Sequence, residues 1–204
     1  MSVLHLLDLV GVVVFAISGV LEAGRRQMDV FGAVVLALVT ALGGGTLRDV
    51  ILQHGPVFWV ADPTYVIAVT LAALAAFVVV RRVTLPRRFL LVADAAGLAV
   101  FAVLGTQKAL SAGAAPVVAL GMGVITGVAG GVIRDVLCNE VPLVLRREIY
   151  ATAALSGGLL FWLLRHIGID EAWATALGAL CVFAVRLVAV RLKLALPAAP
   201  PSPD

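Results

Sequence analysis

An ungapped internal repeat constrains this chain more than any other feature, because each copy holds three hydrophobic segments. Residues return at an offset of 86 positions: Asp8, Gly11, Phe15 and Gly19 reappear as Asp94, Gly97, Phe101 and Gly105. Thr40, Gly44, Gly45, Arg48, Asp49, Val50 and Pro56 reappear as Thr126, Gly130, Gly131, Arg134, Asp135, Val136 and Pro142. An odd number of crossings per copy forces the second copy through a membrane upside down. Inverted repeats of this kind place a solute or ion path near the midplane, between the two halves.

Composition supports a membrane setting. The chain has 204 residues, 62% of them hydrophobic and 13% charged, with a mean hydropathy of +1.12. A soluble domain of this size cannot hide that much apolar surface. A crossing takes about 20 largely apolar residues. Seven segments qualify, near 4–22, 29–52, 64–80, 89–107, 116–138, 149–164 and 172–193. They are rich in Ala, Leu and Gly and do not alternate, which disfavours strands. The expected fold is an all-α integral membrane protein of seven transmembrane helices. One transmembrane domain spans 1–196, with repeat one over about 4–82, repeat two over about 88–165 and a seventh helix over about 172–193. The Pro- and Ala-rich tail 197–204 is expected to be disordered. The first segment lacks a basic leader, contains Asp8 and is itself repeated, so it reads as a span and not a signal peptide.

The net charge of +3 does not indicate nucleic-acid binding, because the basic residues sit in short clusters between spans. One set of connections and ends carries Arg25, Arg26, Arg81, Arg82, Arg87, Arg88, Arg146, Arg147, Arg191 and Lys193; the opposite set carries Lys108 and Arg165. The positive-inside rule puts the first set in the cytoplasm, the N-terminus outside and the C-terminus inside. Cys138 and Cys181 lie in or beside apolar segments, so neither a disulfide nor a metal site is expected. No cofactor is expected. No Walker loop, nucleophile elbow or metalloprotease motif is present in the sequence, and an enzyme is not expected.

Two constellations carry the candidate chemistry. Gly43, Gly44 and Gly45 precede Arg48-Asp49, and Ala129, Gly130 and Gly131 precede Arg134-Asp135. Consecutive glycines each weaken a helix by about 1 kcal/mol relative to Ala. A matched pair beside intramembrane charges is expected to kink or break the helices next to a path; close helix packing is the alternative. Thr40, Gly44 and Arg48 are four apart and share a face, as do Thr126, Gly130 and Arg134, giving each helix a polar seam. Intramembrane arginines need partners. Depth matching pairs Asp8 with Arg48 and Asp94 with Arg134, with Asp49 and Asp135 as alternatives. These pairs either fix helix rotation or gate the path. Phe15 and Phe101, flanked by glycines, are either a hydrophobic constriction or space filling. Lys108 is either a gating charge or a snorkelling side chain. His5, His54 and His166 map to the outer side and read as surface histidines.

With its two Gly-Gly-x-x-Arg-Asp-Val elements, Gly44 to Val50 and Gly130 to Val136, the chain resembles the prokaryotic trimeric intracellular cation (TRIC) channel family, whose bacterial members are also labelled as glycine transporter domain proteins. The resemblance covers about 4–193. It implies a homotrimer in the prokaryotic inner membrane, in contact with membrane lipids, with one ion path inside each protomer. The path would run beside helices kinked at Gly43, Gly44 and Gly45 and at Gly130 and Gly131, with potassium the main ion and sodium also permeant. Ala129, in place of a third glycine, would make the second kink milder. A pore with bare arginines would repel cations, so a cation path requires Arg48 and Arg134 to be neutralised. Two other readings fit the same residues. A secondary transporter of a small zwitterion such as glycine could bind carboxylate on a guanidinium and ammonium on an aspartate. A scaffold without a path would use the pairs only for assembly.

Overall fold

The computed structural model describes residues 3–53, 55–83, 85–146, 149–192 and 194. His54, Arg147, Lys193 and the tail 197–204 lie outside the described residues, as does the side chain of Arg146. Nine helices and no strand occur among the described residues: α1 (Val3–Arg25), α2 (Val30–Leu52), α3 (Phe58–Ala61), α4 (Thr64–Arg82), α5 (Arg87–Ser111), α6 (Pro116–Leu137), α7 (Leu143–Arg146), α8 (Ala151–His166) and α9 (Glu171–Leu192).

Local chemistry sets the boundaries. Asp29 caps α2 by accepting the Gly32 N–H at 2.7 Å. Pro63, Pro86 and Pro116 stand at the starts of α4, α5 and α6, where a missing N–H costs nothing. The α5–α6 and α8–α9 turns pass through Gly113 and Gly168 at φ of 84° and 85°, a region that strains residues with a Cβ.

Among the described residues six helices (α1, α2, α4, α5, α6 and α9) are long and apolar enough to cross a membrane. The segment expected at 149–164 forms α8, of 16 residues. At about 1.5 Å per residue it rises roughly 24 Å, short of a hydrocarbon core about 30 Å thick. The structure thus gives six helices of crossing length where the sequence suggested seven. The short helices α3 and α7 did not appear in the hydropathy pattern at all.

Helices α1 and α5, counterparts in the repeat, run antiparallel. Asp8 near the start of α1 meets Lys108 near the end of α5 at 2.9 Å. Arg134 bridges Asp94, near the start of α5, to Ser18 in the later half of α1. Two apolar clusters flank this pair. One joins α1, α2 and α4 through Val12, Val20, Ala37, Val69 and Ala73. The other joins α5, α8 and α9 through Leu98, Val103, Ala153, Phe161 and Val182. Lipid offers no hydrophobic drive between helices, so small residues that allow close contact carry the packing. Outward-facing side chains are apolar, as on α4 with Ile67, Leu71, Val78 and Val79.

Candidate functional site

At the centre, α2 crosses α6 at reciprocal glycines. A Cβ on Gly44 would fall 2.0 Å from the Thr126 carbonyl oxygen, and one on Gly130 would fall 2.0 Å from that of Thr40. Each glycine therefore receives the other repeat's threonine backbone. Helical structure runs unbroken through both glycine clusters, so the expected helix break is absent. The Thr40 hydroxyl donates to the Leu36 carbonyl and the Thr126 hydroxyl to the Met122 carbonyl, each at 2.6 Å. Both are turned back onto their own helices and do not face an open channel. Gly43 lies against Ile133, and Gly45 against the Phe58 ring.

Phe15 and Phe101 stack beside this crossing, with ring centroids 5.3 Å apart and 28° between planes. Both are buried. The Phe15 ring fills the space above Gly97 and the Phe101 ring that above Gly11. The two rings fill the pseudo-symmetric centre.

Charge clusters stand on both sides of this centre. At the face carrying the N-terminus of α1, the Arg48 Nε donates to Asp49 Oδ1 at 2.7 Å. The other Asp49 oxygen accepts the Phe58 N–H at 2.9 Å, at the start of α3. Asp8 does not pair with Arg48, which corrects the expected pairing. Its Oδ2 instead accepts from Lys108 Nζ at 2.9 Å and from the Tyr65 hydroxyl at 3.1 Å. The adjacent Asp49 gives Arg48 a carboxylate without spanning to another helix. Arg48 and Lys108 also flank the Phe58 ring, 5.7 Å and 5.6 Å from its centroid. Lys108 is thus bound at the site and does not snorkel away. A cleft of about 260 Å³ opens here, lined in part by His5, Asp8, Tyr65, Gln107 and Lys108. His5 contacts the Tyr65 hydroxyl at 3.2 Å and Asp62 at 3.8 Å, so it belongs to the site and is not an isolated surface residue. Hydrogen bonds from the Thr64 hydroxyl and N–H hold the Asp62 carboxyl below its ordinary pKa. His166, by contrast, stacks on Trp162.

At the opposite, arginine-rich face, Arg134 Nη1 donates to Asp94 Oδ1 at 2.9 Å and to Ser18 Oγ at 3.1 Å. Its Nε donates to Asp135 Oδ1 at 2.8 Å. Asp94 and Arg134 pair as depth matching predicts, and both side chains are 0% exposed. The second Asp135 oxygen accepts the Leu143 N–H at 3.0 Å, at the start of α7. The aspartate of each Arg-Asp motif thus does two jobs: it neutralises its arginine and ties down the hairpin after its span. Gly131 leaves room where Asp94, Arg134 and the Tyr150 hydroxyl converge; a Cβ there would lie 3.3 Å from both Asp94 Oδ1 and that hydroxyl.

Tyr65 and Tyr150 escaped the sequence reading although they hold equivalent places, each with its hydroxyl facing the aspartate of the first helix in its repeat. The reason is a one-residue deletion. Tyr65 lies nine positions after Pro56 and Tyr150 eight after Pro142, so an ungapped comparison passes over the pair. Arg186 was also missed. It is 1% exposed on α9, which has no partner in the repeat. A charged residue inside an apolar segment was the available signal.

The family model described as Glycine transporter matches the chain twice, over residues 5–81 and 91–166. The UPF0126 inner membrane protein YadS of Escherichia coli (strain K12) is 50% identical over 193 residues, which are 94% of this chain and 93% of that one. Among solved structures, the TRIC trimeric intracellular cation channel orthologue from Rhodobacter sphaeroides superimposes with a TM-score of 0.90 at 43% identity, covering 95% of this chain and all of that one. A prokaryotic TRIC channel solved in 0.5 M KCl matches with a TM-score of 0.86 at 32% identity, over 95% of this chain and 98% of that one. These neighbours are described as channels, and this protein shares their fold. Repeat motif, backbone and sequence identity agree, and the chain belongs to the prokaryotic TRIC family, the UPF0126 membrane proteins.

Proposed function

We propose that this protein is a potassium-permeable monovalent cation channel of the bacterial inner membrane, with sodium also permeant. It works as a homotrimer in contact with membrane lipids, with one ion path inside each protomer. The path runs between two inverted repeats, beside α2 and α6 at Gly43, Gly44, Gly45, Gly130 and Gly131. Seven crossings, with the short α8 as the sixth in a locally thinned bilayer, put the N-terminus outside and the arginine-rich face in the cytoplasm. The solved relatives support the channel class, since they are described as trimeric intracellular cation channels.

The observation that carries the reading is the neutralisation of both arginines. A cation path lined by bare guanidiniums would repel its ion, but Arg48 is held by Asp49 and Arg134 by Asp94 and Asp135. In this reading the close packing at the crossing corresponds to a closed state. Gly44 abuts Thr126, Gly130 abuts Thr40, and Phe15 stacks on Phe101. Opening would separate the rings and turn the Thr40 and Thr126 hydroxyls or their carbonyls toward the ion.

Recording the purified protein in planar bilayers under a KCl gradient tests this. Discrete steps reversing near the potassium potential are expected, and assembled Arg48→Ala or Arg134→Ala protein should differ in conductance or gating. Transport of a small zwitterion such as glycine is the second reading. It is favoured by the family model's description and by opposite charges with spare valence at one face, since Arg48 Nη1 and Asp8 Oδ1 are buried without a hydrogen-bond partner. Saturable uptake of labelled glycine into vesicles, with silent bilayers, would establish that reading instead.

A further inference from the structure

The repeat supplies each charge cluster with one arginine and two aspartates. These are Arg48 with Asp8 and Asp49 at the N-terminal face, and Arg134 with Asp94 and Asp135 at the other. Each triplet is short of one positive charge. A net charge sealed among helices is strongly unfavourable, so a fourth group is needed. At the N-terminal face it is Lys108, 2.9 Å from Asp8.

The repeat cannot provide the same answer at the arginine-rich face. The position equivalent to Lys108 is Glu22, an acid, and it is occupied with Arg25 and Arg26 at 3.4 Å each. A cation reaches this cluster from α9. The Arg186 guanidinium lies 4.5 Å from the centroid of the Tyr150 ring, and the Tyr150 hydroxyl faces Asp94. One Arg186 Nη1 also donates to the Ile149 carbonyl at 3.5 Å. Docking of α9 explains how Arg186 gets there. Gly178, Val182 and Arg186 are four apart and share a face. Gly157 of α8 leaves room for both Val182 and the Gly178 backbone, so α9 approaches closely enough to deliver the guanidinium.

We infer that Arg186 is the fourth member of the arginine-rich-face cluster, and that it sets cation access from that face. It is a positioning and specificity-determining residue. Its charge brings the cluster to neutrality, and its stacking holds Tyr150 against Asp94, which in turn holds Arg134. Arginine suits the task because it stays charged when buried and stacks flat on an aromatic ring. The inference rests on the channel reading above. It also assigns the unrepeated helix a role: α9 supplies the charge that the inverted repeat leaves missing.

The experiment is bilayer recording of wild type, Arg186→Met, Arg186→Gln and Arg186→Lys under a KCl gradient. Trimer assembly is checked by size exclusion. The Met variant keeps an unbranched apolar stem and leaves the cluster at a formal charge of −1. Cation current entering from the arginine-rich face should rise several-fold, so that the current rectifies, and the reversal potential should move toward that of potassium. Arg186→Lys should restore wild-type reversal and rectification, which loss of packing alone would not predict. Arg186→Gln keeps a donor for Ile149 and removes only the charge. An unshifted Gln variant overturns the inference even where the Met variant fails to assemble, and so does a Lys variant that rectifies like Met. Absence of current from wild type would remove the channel reading and this role with it. Wild-type current with unshifted variants would remove the role of Arg186 alone.

Discussion

The two charge clusters come from the same repeat yet sit in different surroundings. At the arginine-rich face Asp94 and Arg134 are sealed, both at 0% exposure. At the N-terminal face the partner of Asp8 is Lys108, whose side chain is 39% exposed beside an open cleft. The first cluster sets one guanidinium fork between two carboxylates; the second divides the work between the buried Arg48 guanidinium on Asp49 and the Lys108 ammonium, on a flexible stem, on Asp8. Water reaches Lys108 and hardly reaches Asp94 or Arg134. A repeated sequence therefore fixes where the charges stand, while the packing around each copy fixes how firmly they are held. Rearrangement is expected to cost less at the N-terminal face than at the arginine-rich one.

The largest effect that can break this comparison is a change in stability. Asp94→Asn would leave Arg134 buried with half its neutralisation, a loss of about 3–5 kcal/mol for a broken buried pair. Asp8→Asn frees a half-exposed lysine that water can solvate, a loss of about 1 kcal/mol or less. Thermal unfolding in detergent should show a much lower midpoint for the Asp94 variant. Equal midpoints would mean that the two clusters are held alike.

Next in size are the glycines at the crossing, where the halves should behave identically. A methyl on Gly44 or Gly130 meets a carbonyl oxygen at 2.0 Å, and backbone cannot swing aside as a side chain can. Gly44→Ala and Gly130→Ala should each cost about 1–3 kcal/mol, as overpacking does, and by similar amounts. Gly131→Ala should cost less, since its nearest atoms lie at 3.3 Å. The same melting experiment ranks all three. A marked difference between Gly44→Ala and Gly130→Ala would show that the crossing is not symmetric in energy.

The sequence made the fold legible because the repeat and the hydropathy both act at the length scale of a helix. Thr40, Gly44, Arg48 and their counterparts sit where helical spacing put them, and Asp94 found Arg134 as depth suggested. What failed did so for identifiable reasons. Depth alone could not tell that Arg48 would take its neighbour Asp49, leaving Asp8 for Lys108 on a helix of the other repeat. For the glycines the sequence left a kink or break beside close helix packing, and the backbone-to-backbone contact that their missing side chains serve emerges only in the tertiary structure. The tyrosines were hidden by one deleted residue, and Arg186 by lying outside the repeat.

The smallest expected effect sharpens the contrast most, because it separates the clusters by screening. Lys108→Met leaves the N-terminal cluster at a net charge of −1, as Arg186→Met does the other. Both should favour cations, but only the first charge borders an open cleft. The Debye length falls from about 8 Å at 0.15 M salt to about 3 Å at 1 M. The conductance gain of Lys108→Met, roughly two-fold at low KCl, should therefore fade in molar KCl. The change in Arg186→Met should persist, since the side chain at that position is 1% exposed and bulk salt screens a buried charge far less. Conductance recorded for both variants across a KCl series checks this. If both gains fade together, the arginine-rich cluster is as open to solvent as the N-terminal one.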